Sequence, residues 1–229
     1  MSSPREPLVL GRFRLIQRVG RGAFGRVLEV ADAQTGEPRA LKLAAPGARD
    51  EAMLLDEFDQ LARLRHPSLP RVFEVGRTAE PIDDVPAGAP FFVAEWIAGG
   101  RCDARRWDDA RALWGLVADV AGALAVIHAA GLVHGDVAPQ NILLVDGDVR
   151  AVLVDLGLAS ATGARGTPAY MAPEAFAGAI EPRSDLYGLG ATAVRLATGR
   201  PPFEAGSLGE LVQLVVGSAP RLALPGVAR

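Results

Sequence analysis

Apolar and polar residues alternate along two stretches near the N-terminus, Phe13 to Val19 and Arg26 to Ala31. Successive side chains of a strand point to opposite faces, so this period of two predicts half-buried β-strands. Arg39-Ala40-Leu41-Lys42-Leu43 predicts a third strand after the turn signal Gln34-Thr35-Gly36-Glu37. From Asp50 to Leu64 the period lengthens. Met53, Leu54, Phe58, Leu61 and Leu64 recur at helical spacing and predict an amphipathic helix. Arg71 to Gly76 and Phe91 to Trp96 read as two more strands, and the Pro-, Asp- and Gly-rich segment from Thr78 to Pro90 is expected to be a mobile loop.

The second half changes character. Asp109 to Ala130 carries Leu113, Leu116, Val117, Val120, Leu124 and Ile127 in helical register. Two short apolar runs, Ile142 to Val145 and Ala151 to Val154, flank Asp146-Gly147-Asp148, a hairpin signal. Another helix is expected to begin within Ser207 to Val216.

Composition narrows the classes. With 229 residues, 49% apolar and 22% charged, the chain suits one or two globular domains with a sizeable core. A net charge of −3 gives no electrostatic case for a nucleic acid or membrane partner. The single cysteine, Cys102, excludes an internal disulfide and a thiolate metal cage. Neither a signal-peptide core near Pro4, Glu6 and Pro7 nor an uninterrupted apolar run of roughly 18 residues is present, so a cytoplasmic location is expected by default. Of the 24 basic residues, one is a lysine, Lys42. Arginine is a poor substitute where a compact ammonium must fill a tight slot, which makes Lys42 a candidate functional cation.

Two segments carry candidate chemistry. Gly20-Arg21-Gly22-Ala23-Phe24-Gly25 has the letters of a dinucleotide fingerprint, but it is followed by strand-like alternation instead of a helix. A strand–loop–strand glycine hairpin can lie over a triphosphate and offer backbone N–H groups to its oxygens. In His134-Gly135-Asp136-Val137-Ala138-Pro139-Gln140-Asn141 a carboxylate and a carboxamide share one proline-stiffened loop, so one can accept a proton while the other holds a metal ion. Asp155-Leu156-Gly157 places another carboxylate at a strand end, again suited to a metal.

Loop 20–25, Ala40-Leu41-Lys42, Glu57 nine residues before His66-Pro67, the 134–141 loop, Asp155-Leu156-Gly157 and Gly166-Thr167-Pro168-Ala169-Tyr170-Met171-Ala172-Pro173-Glu174 together resemble the bacterial type of eukaryotic-like serine/threonine protein kinase. The resemblance runs from about Phe13 to about Val216. It implies an α+β, two-lobed fold, with a tail over 1–12, a small antiparallel β lobe with one helix over 13–97, and a mainly helical large lobe over 98–229 whose last helices are missing. It implies ATP and Mg²⁺ as cofactors and a protein substrate phosphorylated on Ser or Thr.

By the same resemblance, Asp136 is the base, with Asn141 and Asp155 the metal ligands and Thr167 helping to hold Asp136. Lys42, backed by Glu57 in preference to Glu51 or Asp56, clamps the α and β phosphates. Gly20, Gly22, Phe24, Gly25, Val27, Ala40, Ala94, Glu95 and Ile97 line the nucleotide, and the small Ala94 leaves the pocket behind adenine open. Asp185 braces the catalytic loop.

Three departures bear on activity. Gly135 stands where many members have arginine, so phosphorylation at Ser160, Thr162 or Thr167 is not expected to be required for switching on. Ala138 replaces the lysine that touches the transferring phosphate, so reduced turnover is expected. The 229 residues stop before the arginine that pairs in the family with the glutamate of Ala-Pro-Glu, so Glu174 is expected to lack that partner and the large lobe to be incomplete or finished by another chain. The alternatives are a pseudokinase acting as a nucleotide-binding or scaffolding module and, from His-Gly-Asp alone, a small-molecule kinase.

Overall fold

The computed structural model describes residues 8–22, 25–145, 150–156 and 166–218. Contacts divide the chain into two compact units, Met1–Arg63 with Pro70–Trp96 and Leu64–Leu69 with Ile97–Arg229.

In the first unit β1 (Phe13–Gly22), β2 (Gly25–Asp32) and β3 (Pro38–Ala44) precede helix α1 (Ala48–Arg63), and β4 (Val72–Arg77) and β5 (Pro90–Glu95) follow. They form one antiparallel sheet in the order β1-β2-β3-β5-β4. Alternation gives the sheet two apolar faces. One carries Phe13, Leu28, Val30, Leu41, Leu43, Phe91 and Val93. The other carries Ala44, Phe92 and Ala94, packed with Leu54 and Phe58 of α1. Phe58 and Phe92 meet with ring centroids 6.0 Å apart. Each large side chain buried this way contributes about 1.5–3 kcal/mol.

The segment between β4 and β5 is a loop, as its composition predicts, with apolar anchors that its composition does not show. Ile82 and Val85 close a tight turn through two backbone hydrogen bonds of 2.9 and 3.0 Å. Val85 and Ala89 are buried in the first sheet face, with Ile82 packed against it. Buried Thr78 donates its hydroxyl to Pro86 O (2.9 Å) and its amide to Ala89 O (2.9 Å), and accepts from Gly88 N (2.7 Å). Prolines and glycines mark turns, and a turn closed on itself with two apolar anchors is an ordered strap.

The second unit is mainly helical. Helix α2 (Ala110–Ala129) begins where Asp109 caps the amide of Arg111 (2.8 Å). It is long and apolar enough, by length and composition, to cross a membrane. Its stripe of Leu113, Leu116, Val120, Ala123, Leu124 and Ile127 is instead buried, and it packs against two elements further along the chain, β7 and α4. Strands β6 (Ile142–Leu144) and β7 (Ala151–Leu153) form a two-stranded ladder, whose expected turn at 146–148 lies outside the described residues. Asp119 of α2 accepts from Ala151 N (2.8 Å), fixing β7 to the helix. Leu64–Leu69 joins this unit through Leu153 N, which donates to Ser68 O (2.9 Å). Then come α3 (Pro173–Phe176), α4 (Pro182–Thr198) and α5 (Leu208–Gly217). Helix α4 starts on Pro182 inside a Glu181–Ser184 capping box and stops at the left-handed Gly199.

Candidate active site

The first unit holds Lys42 within its strand ladders. In the ladders Val27 stands opposite Lys42, Lys42 opposite Phe92, and Ala40 opposite Ala94, so these side chains share the sheet face that carries α1. Lys42 Nζ lies 2.5 Å from Glu57 Oε2, with side-chain exposures of 11% and 3%, and 5.7 Å from the centroid of Phe92. Both charges are nearly out of water, where an ion pair is costly to assemble and more costly to break on one side. Of the rival carboxylates, Glu51 instead reaches Arg77 (3.1 Å).

The glycine hairpin closes with Gly22 opposite Gly25, and Gly20 pairs with Val27. A Cβ on Gly25 would fall 1.8 Å from Leu43 O, at φ 153, so β2 approaches β3 here only because the side chain is absent. Phe24 lies outside the described residues. At the end of β5 the Glu95 amide donates to Arg71 O (2.8 Å), and Ile97, which begins the main part of the second unit, is buried.

The second unit builds the 134–141 loop on Asp185, which is 1% exposed in the first turn of α4. Its Oδ1 accepts from Gly135 N (2.7 Å), and its Oδ2 from His134 N (2.9 Å) and His128 Nε2 (2.7 Å). Helix α4 can come this close because residue 188 is glycine: a Cβ there would meet Val137 O at 2.7 Å. Fully buried His134 accepts from Asp136 N at Nδ1 (3.3 Å) and approaches Val154 O with Nε2 (3.0 Å), a pattern that assigns the neutral Nε2–H tautomer. Gly135, with φ 77, occupies backbone space that an arginine enters only with strain.

Asp136 is held from two sides. Its Oδ1 accepts from Thr167 N (2.9 Å) and Thr167 Oγ1 (3.0 Å), and its Oδ2 from Asn141 Nδ2 (2.9 Å). Gln140 Nε2 donates to Thr167 Oγ1, so the Thr167 hydroxyl proton is turned toward Asp136. Asn141 Nδ2 also donates to Asp136 O (2.8 Å), which uses both amide hydrogens and leaves Oδ1 as the acceptor. Val154 N donates to Asn141 O (2.9 Å), so the β6–β7 ladder sets Asp155 beside Asn141 in the backbone, with Asp155 at φ 62. A carboxamide and a carboxylate are both hard-oxygen ligand types of the kind Mg²⁺ takes.

Glu174 accepts from Ser184 Oγ (2.8 Å), and no arginine pairs with it among the described residues. Ser160, Thr162 and Gly157 lie outside the described residues. Cys102 donates weakly to Pro139 O (3.4 Å), and burial pushes its thiol up to about 12, so it packs beneath the loop as an unreactive group. Local pattern does not mark His128 as a partner of Asp185, or Gln140 as a donor to Thr167. His128 sits in an ordinary helical pattern and Gln140 inside the loop itself, and only the 57- and 27-residue closures bring them to Asp185 and Thr167.

Comparison with known proteins identifies the family. Residues 13–218 match the protein kinase domain family, and the chain belongs to it. It is 35% identical to the DNA damage-responsive serine/threonine-protein kinase RqkA of Deinococcus radiodurans, over 86% of this chain and 31% of that protein. Identity is 34% to the serine/threonine-protein kinase PknJ of Mycobacterium tuberculosis, over 91% and 37%. With the probable serine/threonine-protein kinase PkwA of Thermomonospora curvata it is 33%, over 96% and 30%. The chain thus spans about a third of the length of these relatives.

Proposed function

We propose that the chain is an ATP- and Mg²⁺-dependent serine/threonine protein kinase domain acting on protein substrates. The observation that carries this reading is the Asp136 carboxylate, held by three donors from Thr167 and Asn141, which leaves it one acceptor direction for a substrate hydroxyl. A seryl or threonyl hydroxyl would donate to Asp136. As its oxygen bonds to the γ-phosphorus, the bond from that phosphorus to the β,γ-bridging oxygen breaks, ADP departs, and the hydroxyl proton passes to Asp136.

Lys42, paired with Glu57, would bind the α and β phosphates, and the backbone of Gly20, Gly22 and Gly25 would cover them. Val27, Ala40 and Ala94 would contact adenine, with the Glu95 and Ile97 backbone at its edge. Asn141 Oδ1 and Asp155 would hold Mg²⁺, which when bound neutralises phosphate charge. As an ATP-consuming reaction, transfer is placed in the cytoplasm.

A second reading, a nucleotide-binding module without transfer, is favoured by Ala138, which leaves the 134–141 loop with no lysine or arginine. Labelled ATP, Mg²⁺ and a generic protein acceptor, compared with Asp136→Ala, separate the two. Transfer abolished by the substitution supports the kinase; nucleotide binding without transfer by the unsubstituted protein supports the module.

A further inference from the structure

Two arginines of the glycine hairpin are held by the strap between β4 and β5. Arg18 Nε and Nη2 donate to the two carboxylate oxygens of Asp83, each at 2.7 Å. Arg26 lies 3.6 Å from Asp83 and donates to Asp84 Oδ1. Their places in the hairpin are specific. Arg18 stands at a register break two residues before Gly20, on the edge strand β1, and Arg26 directly follows Gly25. The carboxylates come from an anchored turn: Asp83, at φ 55, is the first central residue of the Ile82–Val85 turn, and Val85 and Ala89 are sunk in the sheet's apolar face. Arg26 shares that face with its cross-strand partner Leu43, whereas Val27 and Lys42 share the opposite one. The strap can therefore hold the hairpin without obstructing the side on which Lys42 lies.

We propose that Asp83 and Asp84 form an ionic clasp with Arg18 and Arg26 that positions the β1–β2 hairpin for nucleotide binding, an inference that rests on the kinase reading above. Exposed ion pairs add little to global stability, but β1 is an edge strand with two register breaks that is paired on one side only, by β2. The four side chains are positioning residues. They act through the hairpin backbone and touch no phosphate.

The test compares the unsubstituted protein with Arg18→Gln/Arg26→Gln, Asp83→Asn/Asp84→Asn, the quadruple variant and an Arg63→Gln control from α1. Asparagine keeps the turn, because it tolerates the left-handed region. One measurement is hydrogen exchange of the β1 and β2 amides without nucleotide; the other is fluorescence titration with N-methylanthraniloyl-ATP. Either double variant is expected to exchange faster at these amides and to raise Kd about 3- to 10-fold. The quadruple variant should be no worse, thermal midpoints should stay near the unsubstituted value, and added NaCl should shrink the difference. Unchanged exchange and Kd in the double variants, additive losses in the quadruple, or an equal loss in Arg63→Gln would overturn the clasp while leaving the kinase reading intact. Failure of the unsubstituted protein to bind nucleotide would overturn both the kinase reading and the nucleotide role of the clasp; faster exchange in the variants would then show the clasp as a structural contact alone.

Discussion

Lys42 Nζ sits 2.5 Å from Glu57 Oε2, and the two come from β3 and α1, fifteen residues apart in the chain. Removing one partner of a nearly buried pair leaves the other charge poorly compensated, at a cost of about 3–5 kcal/mol. Glu57→Ala is therefore expected to lower unfolding free energy in urea by an amount in that range. Lys42→Met is expected to abolish phosphoryl transfer. A Glu57→Ala protein as stable as the unsubstituted one would show that the pair carries no such load.

Asp185 satisfies the buried His134 N–H, the half-buried Gly135 N–H and the half-buried His128 at once. Asp185→Ala strips all three of their acceptor, and each buried donor left unsatisfied costs about 1–3 kcal/mol. The expected result is a loss of several kcal/mol in denaturant titration, with transfer activity falling further than the folded fraction does. Activity that tracks the folded fraction alone would mean that Asp185 supports stability and not loop geometry.

The Thr167 hydroxyl accepts from Gln140 and donates to Asp136. Thr167→Val keeps the shape and loses this relay, so kcat is predicted to fall about 10- to 100-fold, with Thr167→Ser retaining most of the rate. Gln140→Ala should give a smaller loss in the same direction. Steady-state kinetics at saturating ATP decides the matter, and a Thr167→Val enzyme with normal kcat contradicts it.

Asp32 is held below the ordinary carboxylate range, first by the hydrogen bond from the Arg12 guanidinium and then by the amide of Gln34, against opposing desolvation. A depressed folded value stabilises the fold above the unfolded-state value of about 3.9, and that contribution is lost as pH falls through the folded value. Arg12→Gln should therefore lower stability at neutral pH, with the gap to the unsubstituted protein closing on acidification below about pH 4. Denaturant titrations from neutral to acid pH test this; a gap that widens in acid reverses the sign.

Ala94 is buried opposite Ala40 in the β3–β5 ladder. A small residue there should admit adenine analogues with bulky N6 substituents, and Ala94→Met should exclude them while ATP still binds. Competition binding with N6-benzyl-ATP provides the check, and equal binding to both proteins would misplace Ala94.

Much of the fold was legible because the signals are local. Alternation in Phe13–Val19 and Arg26–Ala31, and helical spacing in Asp50–Leu64 and Asp109–Ala130, depend on neighbours two to four residues away. The strands and helices found there follow those stretches closely. The anchoring of the Thr78–Pro90 loop was not legible for the same reason. Its composition signals turns, but nothing local shows that Val85 and Ala89 will be buried against Leu28 and Leu43 on other strands.

The residue types available for chemistry, their order along the chain, and the periodicity that makes β3 a strand and α1 a helix belong to the amino-acid sequence by itself. Which carboxylate meets Lys42, how Asp185 spans 50 residues to hold Gly135, and why residue 188 must lack a side chain beside Val137 were decided only in the tertiary structure. The physical reason is one of range. A side chain's periodicity is set by the backbone geometry of its own element, whereas its partner is set by how separate elements pack, and packing is a property of the whole core.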